Sequence, residues 1–440
     1  MGYPVKSTRS TIRRVGGAYV DRTKSFAISK QAVWDAYRKV RDNKGAAGVD
    51  EQSLTQFEQN LQDNLYKLWN RMSSGSYFPP PVKLVEIPKK SGGIRPLGVP
   101  TVADRIAQTV AAQELEKVVE PIFDPDSYAY RQGRSAHDAL AVCRQRCWQF
   151  DWAIDLDVKA FFDSVDHSLL LKAVEHHTDQ RWILLYVRRW LQAPLQQQDG
   201  TLVERDRGTP QGSAISPVLA NLFLHYAFDA WMRRTFPSVP FERYADDVIA
   251  HCTSLAQAEH VLAATRQRLA ECGLQVHPDK TRIVYCKDSD RSGSHEHESF
   301  DFLGYTFRPR RAKSKDGRFF ISFLPAVSDT AAKAARQQIR RWRLHLWTSN
   351  GLRDIAAFVN PIVRGWINYY GRFYRSRLIS TVLRQINEYL IRWAMRKYKR
   401  LRHSRRRAVR LLARIARSDP DLFVHWRLIR PGKTGVMGAG

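Results

Sequence analysis

Trp152-Ala153-Ile154-Asp155-Leu156-Asp157-Val158 alternates strictly, with Trp152, Ile154, Leu156 and Val158 on one side and Asp155 and Asp157 on the other. A period of two predicts a strand whose apolar side packs on a core while its acids point away. A second stretch, Phe241 to Ala250, reads as a short strand pair folded tightly around Asp246-Asp247. If the two strands are neighbours, three carboxylates converge. Carboxylates packed that closely repel one another, which raises their pKa or recruits cations. Hard oxygen donors suit Mg²⁺, which takes one or two carboxylates together with substrate phosphates. Two such ions roughly 3.5–4 Å apart clamp the attacking and leaving oxygens of a phosphoryl displacement. An Asp-Asp pair read alone is only a turn, so its surroundings decide.

Outward from this centre the chain is punctuated. Residues 26–72 read as helical, with Trp34, Ala36, Tyr37 and Val40, then Phe57, Leu61, Leu65 and Leu68 at helix spacing. Pro79-Pro80-Pro81 breaks the chain before a strand at Val82–Ile87, a turn at Pro88–Gly93 and the extended Ile94–Leu97. Asp104–Val119 has a strong helical pattern, and Ser216-Pro217 reads as an N-cap and first helical position opening a helix to about Met232. Another helix is expected over 256–272, and long helical patterns dominate beyond residue 330.

The 440 residues suggest two to four domains. Hydrophobic residues at 43% are enough to build real cores, which excludes general disorder. No stretch reaches the ~18 uncharged apolar residues of a membrane span, and the start has no apolar signal-peptide core. Five cysteines, an odd number in a large chain, argue for a reducing compartment, bacterial cytoplasm or organelle. The formal charge is +28 and unevenly spread. Ala331–Gly440 holds 26 Lys/Arg against Asp354, Glu388, Asp419 and Asp421, leaving only +6 for the first 330 residues. A nearly neutral region able to hold catalytic acids is thus followed by a basic one suited to phosphates.

Several boxes then line up. Tyr244-Ala245-Asp246-Asp247 resembles the YxDD box of reverse transcriptases. Asp157-Val158-Lys159-Ala160-Phe161-Phe162-Asp163 resembles the first catalytic motif of group II intron reverse transcriptases, or maturases, and Gly208-Thr209-Pro210-Gln211-Gly212-Ser213 their next. Upstream, Ile87-Pro88-Lys89, Arg95-Pro96-Leu97-Gly98 and Asp104-Arg105 match the fingers, and Ser127 to Ser135, with Arg131 and Arg134, the following box. Downstream, Lys280-Thr281, Phe300 to Tyr305, and Asn360-Pro361 with Arg364-Gly365-Trp366 fit the end of the palm and the maturase thumb. The ordered set runs from about residue 30 to 400; Gln132, Ala129 and Ser213 depart from the usual Pro, Gly and Gly, none at a metal ligand.

The resemblance implies an α+β right-hand polymerase: fingers and palm with an antiparallel sheet flanked by helices, plus an α-helical thumb. The expected divisions are an RNA-binding extension at 1–80, fingers and palm at 81–325, thumb at 326–400 and a basic nucleic-acid-binding region at 401–440. It implies an RNA-directed DNA polymerase that also serves group II intron splicing and mobility. A domesticated enzyme in a host role such as phage defence, or a splicing factor without polymerase activity, are the alternatives. Asp157, Asp246 and Asp247, with the Val158 carbonyl, would hold two Mg²⁺ ions. Lys89 and Arg95 would grip the dNTP triphosphate, Phe162 would exclude a 2′-hydroxyl, Gln211-Gly212 would approach the nascent base pair, and Lys280 could protonate pyrophosphate. Arg131, Arg134, Arg364, Arg405, Arg406 and Arg407 would bind nucleic acid: an intron or other structured RNA template and a DNA primer or target. No membrane partner is expected, and the oligomeric state is open. Each basic residue alone would read as a solvated charge, and Phe161 and Phe162 as core.

Two further clusters are set aside at this stage. Cys143 and Cys147 lie four apart on a helix, but no second Cys/His pair has metal-ligand spacing, so they are expected to be buried helix residues. His295-Glu296-His297 is expected in a solvated loop. Trp342, Trp347, Trp366, Tyr369 and Trp393 read as the core of a helical bundle with arginines on its outer face. No Cys-pair and His-rich endonuclease domain is expected after residue 330.

Overall fold

A computed structural model describes residues 24–88, 94–314 and 316–432. Its strands are β1 (Val82–Pro88), β2 (Ile94–Val99), β3 (Trp152–Asp157), β4 (Leu195–Gln196), β5 (Leu202–Val203), β6 (Phe241–Tyr244), β7 (Asp247–Cys252), β8 (Arg282–Tyr285), β9 (Phe300–Phe302), β10 (Tyr305–Lys313) and β11 (Phe319–Val327). Helices fill most of the remainder. The chain forms two compact units, each built from separated stretches.

The first unit takes residues up to 132, then 158–237 and 263–277. Its helices Lys30–Asn43 and Leu61–Ser74 pack on the long helix Val102–Val119. Val33, Ala36, Tyr37 and Val40 form the buried stripe of the first helix, while Trp34 is exposed. The 3.6-residue period places Trp34 off the stripe that these four define. Asp104 pins this unit from inside: Tyr77 Oη, Trp190 Nε1 and Gln108 Nε2 all donate to it, at 2.8, 2.7 and 2.9 Å. Burial pushes its carboxyl up to about 6 despite those donors. The sheet runs β2-β1-β4-β5, with β1 and β2 an antiparallel hairpin. The helix opening the Ser216 segment is capped one residue earlier than expected, at Ile215, with Ser216 already helical. It continues to Thr235 through a π-turn at His225–Asp229 that side-chain periodicity does not announce.

The second unit takes residues 133–157, 238–262 and 278 onward. Its central sheet runs β6-β7-β3-β8, every pair antiparallel. The helix Ala136–Gln149 packs on β6, β7 and β11. A second sheet, β11-β10-β9, leads into a helical bundle. Leu303 and Gly304 both take positive φ in the two-residue turn from β9 to β10. Tyr369 Oη donates to the Leu303 carbonyl at 2.9 Å, tying that turn to the helix Leu352–Tyr370.

Trp342 and Trp393 sit in the bundle core, with Trp347 and Trp366 against it. The boundary expected near residue 400 does not interrupt this core. Leu401, Ala408, Leu412, Ala416, Phe423, Trp426 and Ile429 belong to it together with Ile339, Val359 and Leu390. The physical reason lies in the helix Arg405–Ser418, where Ala408, Leu412 and Ala416 recur at every fourth position beneath the arginines. Asn360 Nδ2 donates to the Leu422 carbonyl at 2.9 Å and fastens the segment from the other side. All five cysteines are free and buried. Among the described residues no helix is long and apolar enough to cross a membrane.

Candidate active site

Register brings the acids together. β3 and β7 are antiparallel neighbours, and Asp157 sits directly across from Asp247. Asp246 is the second residue of the two-residue turn between β6 and β7, whose closing pair is Tyr244 and Asp247. The turn's first residue, Ala245, has φ +58°, the left-handed conformation that such hairpins favour and an alanine resists. Strain retained beside clustered like charges points to function rather than to folding convenience.

The electrostatics follow from that crowding. Desolvation among its neighbours, then repulsion from Asp246, Asp157 and Asp155, pushes the Asp247 carboxyl up to about 7, with Lys280 opposing. Its side chain still reaches solvent. Lys280 Nζ lies 2.7 Å from Asp157 Oδ2, so an ammonium already sits against the acid. Thr281 Oγ1 accepts the Asp157 backbone N–H at 3.3 Å, holding the strand end. Asp155, two residues earlier on the same side of β3, pairs with Arg282 Nε at 3.2 Å, and burial pushes its carboxyl up to about 6 against that pairing. Sequence reading saw Asp155 on the Asp157 side but left it out of the site; its part in the local charge was legible from the alternation. The donor set is hard oxygen throughout, and three further carboxylates crowd the one at Asp247. Both fit a divalent cation.

In the first unit, Val158 bridges to Val276 immediately after Asp157 in the chain. Ala160 takes φ +47° and starts the short turn of helix Phe161–Ser164. Phe161 is buried at 1% exposure against Phe223, whereas Phe162 is half-buried and stands edge-on to Phe161 at 5.3 Å. The 208–212 loop is locked to this turn. Gly208 N–H donates to the Val165 carbonyl at 2.7 Å and Thr209 N–H to that of Phe162 at 2.6 Å. At its other end, Gly98 N–H donates to the Gln211 carbonyl at 2.7 Å. Gly212, at φ +109°, lies so near that a Cβ would meet the Gly98 carbonyl oxygen at 2.5 Å. The loop thus welds the β1–β2 hairpin to the Phe162 turn, a reason for glycine that the motif does not state. Ser213 is buried and donates to Gln108 Oε1 at 2.5 Å. Arg95 lies in β2 across from Ile87, and Lys89 falls outside the described residues.

The arginines divide. Arg131 is half-buried, and its guanidinium bonds Glu120 Oε1 at 2.9 Å and the Asp124 and Ser127 carbonyls at 2.6 and 2.7 Å. Nucleic-acid binding was expected of Arg131, whose Nε, NH1 and NH2 groups are already engaged within the protein. Arg134 and Arg364 are exposed. Arg405 is exposed but tied to both Glu388 carboxylate oxygens at 2.7 Å. Arg407 joins a stripe that sequence reading did not single out. Arg407, Arg410, Arg414 and Arg417 recur at three- and four-residue steps on one helix and, with Arg400, line a concavity of about 620 Å³. The helical spacing was the available signal.

An antiparallel sheet thus presents acids from two neighbouring strands beside a lysine, a set of hard oxygen donors suited to a divalent cation. Comparison with known proteins agrees. A family model described as reverse transcriptase (RNA-dependent DNA polymerase) matches residues 87–307, and one described as group II intron, maturase-specific domain matches residues 332–411. The chain is 30% identical to protein YkfC of Escherichia coli (strain K12) over 66% of its own length and 84% of that protein's. It is 27% identical to the uncharacterized 91 kDa protein in cob intron of Schizosaccharomyces pombe, over 85% of this chain and 54% of that one. To the group II intron-encoded protein LtrA of Lactococcus lactis subsp. cremoris it is 31% identical over 46% of this chain and 33% of LtrA. It therefore spans most of the first relative, about half of the second and a third of the last.

The chain belongs to the reverse transcriptase family and carries a group II intron maturase domain. It is an RNA-directed DNA polymerase with an α+β right-hand fold. Membership brings a general requirement for a divalent metal ion and for an RNA template.

Proposed function

We propose that this chain copies RNA into DNA with two Mg²⁺ ions as cofactors, and that its structured RNA partner is a group II intron whose splicing and mobility it assists. The observation that carries the reading is the register of Asp157 against Asp247 with Asp246 in the adjoining turn, within a chain of this family. Divalent cations held by Asp157, Asp246, Asp247 and the Val158 carbonyl supply Lewis-acid stabilisation of the phosphates.

The chain's own groups do the rest. Lys280, already against Asp157, donates a proton to the departing pyrophosphate. Lys89 and Arg95 bind the triphosphate, and Gln211 and Gly212 meet the incoming nucleotide. Phe162 lies under the sugar and excludes a 2′-hydroxyl. The arginine stripe of the 405–418 helix, with Arg134, Arg364, Arg405 and Arg406, holds RNA phosphates, where recognition follows shape. The divisions of the chain follow the same scheme: an RNA-binding extension before the fingers and palm, then a thumb and a basic RNA-binding end. A reducing compartment, cytoplasmic or organellar, suits the five free cysteines.

Primer extension on an RNA template tests this. Synthesis should require Mg²⁺, and Asp246→Ala should abolish it while leaving the circular dichroism spectrum unchanged. Full extension by that variant would sink the metal assignment.

A further inference from the structure

Within the first unit, the turn that carries Phe162 is held from behind by a single peptide group, and a histidine grips that peptide from its other side. Phe162 lies in the short helical turn Phe161–Ser164, and a longer helix, His167–His177, follows closely in the chain. The segment that leads into the 208–212 loop runs along both. Arg207 bridges to Asp166, Gly208 N–H donates to the Val165 carbonyl at 2.7 Å, and Thr209 N–H donates to the Phe162 carbonyl at 2.6 Å. His167 completes the set, with its Nε2 2.8 Å from the Gly208 carbonyl oxygen. A carbonyl oxygen can only accept, so Nε2 carries the proton in this contact.

The Gly208 carbonyl and the Thr209 N–H are the two polar ends of one planar trans peptide, and they point in opposite directions. One end accepts from His167 and the other donates to Phe162, so any rotation of the plane breaks both bonds together. Gly208 and Thr209 are buried, and a Gly208 carbonyl without its donor would be a desolvated acceptor, which favours reorientation of the peptide. Little room separates this peptide from the Phe162 backbone. Gly208 has φ +79°, and a Cβ there would stand 2.8 Å from the Phe162 carbonyl oxygen and 2.9 Å from Asp163 Cα. Phe162 itself is only half-buried, edge-on to Phe161, so its ring height depends on where its backbone is held. His167 is well placed to hold it. Asp166 caps its helix, accepting Leu169 N–H at 2.8 Å and Ser168 Oγ at 2.6 Å. That cap is complete without any particular residue at the next position, yet His167 is half-buried and turned onto Gly208.

We propose, resting on the reading of Phe162 as the group that excludes a 2′-hydroxyl, that His167 is a positioning residue for sugar selection: its Nε2–H fixes the Gly208–Thr209 peptide, and that peptide fixes the height of the Phe162 ring. His167 meets no substrate atom in this role and moves no proton. It acts on the choice between ribonucleoside and deoxyribonucleoside triphosphates. Without its donor, the peptide turns, the Thr209 bond to the Phe162 carbonyl loosens, and the ring settles away from the position that crowds a 2′-oxygen. A deoxyribose, lacking that oxygen, is affected less than a ribose.

Single-nucleotide incorporation by the full chain, with a dNTP and its matching rNTP titrated separately, tests this. His167→Ala should lower the ratio of kcat/KM for dNTP over rNTP by about tenfold or more, the scale expected when a positioning contact is lost. His167→Gln, whose side-chain amide donates from about the reach of Nε2, should restore most of that ratio. His167→Asn, polar but too short to reach Gly208, should behave like His167→Ala and leaves a smaller cavity should the alanine variant fold poorly. Once Phe162→Val has removed the ring, adding His167→Ala should change the ratio by no more than about twofold, because a residue acting through Phe162 has nothing left to act on. A ratio untouched by His167→Ala and His167→Asn, while Phe162→Val admits ribonucleotides, would overturn the role of His167 and leave Phe162 in place. Equal losses for both substrates with a lowered melting temperature would overturn it too, since the histidine would then only hold the fold. Unchanged discrimination in Phe162→Val would remove the sugar-excluding role of Phe162 and that of His167 with it.

Discussion

Gly212→Ala is the substitution whose consequence the structure specifies most closely. Two effects add. The residue sits at φ +109°, and forcing an L side chain to positive φ is destabilising by roughly 1–2 kcal/mol. The new Cβ would also stand 2.5 Å from the Gly98 carbonyl oxygen, so the two backbones must part by roughly 1 Å to reach ordinary contact. That movement strains the 2.7 Å bond from Gly98 N–H to the Gln211 carbonyl, a neutral hydrogen bond contributing about 1 kcal/mol. The chain supplies its own control. Gly273 takes φ +75° with nothing within 4 Å of its Cβ position, so Gly273→Ala carries only the first effect. Gly212→Ala should therefore be about 1–2 kcal/mol less stable than Gly273→Ala, a few degrees in a thermal melt. It should also raise KM for the incoming dNTP about tenfold or more, since the loop meeting the nucleotide has moved. Equal melting temperatures and an unchanged KM would refute the close-approach argument.

Three further outcomes are expected. Phe162→Val should admit ribonucleotides in single-nucleotide incorporation, because open space replaces the ring; unchanged discrimination would remove Phe162 from the sugar site. Neutralising Arg407, Arg410 and Arg414 should flatten the slope of log K against log salt for RNA binding by roughly 2–3, at about 0.7–0.9 per phosphate, whereas Arg405→Gln should do far less because Glu388 already compensates it. An unchanged slope would make the stripe a solvated face. His425 is fully buried beside Asn387, and burial pulls its imidazole down to about 3. Its stabilising contribution is complete above the unfolded value near 6.5 and is lost as pH falls below it, by about 2 kcal/mol at pH 5. His425→Phe should therefore lose less stability than wild type between pH 7 and pH 5; parallel losses would count against the buried-histidine account.

Local pattern carried much of the fold. The alternation around Asp157 and the tight pair at Asp246-Asp247 were enough to predict two strands but left their adjacency as a condition, which the register of β3 against β7 supplies. What pattern could not supply was partnership. Arg131 lies in a box of the family, yet only the fold reveals that Glu120 and two carbonyls consume its donors. The buried neighbours of Cys143 and Cys147 come from β6, β7 and the end of β8, far off in sequence. The extent of the bundle core was also hidden, since Ala408, Leu412 and Ala416 are small residues among arginines and raise little apolar signal. The π-turn at His225–Asp229 inserts within a continuous helix, where no glycine or proline marks it.

The central claim, that Asp157 and its neighbours perform synthesis while the basic helix holds RNA, is tested most directly by one paired measurement on Asp157→Asn. RNA affinity and rate of nucleotide addition are read on the same preparation, at saturating primer–template for the rate. The account predicts an affinity within about twofold of wild type at each salt concentration and a rate reduced by at least roughly 10³, as loss of a principal electrostatic contact to the reacting phosphate requires. Undiminished synthesis by Asp157→Asn, or loss of RNA binding in step with synthesis, would contradict it.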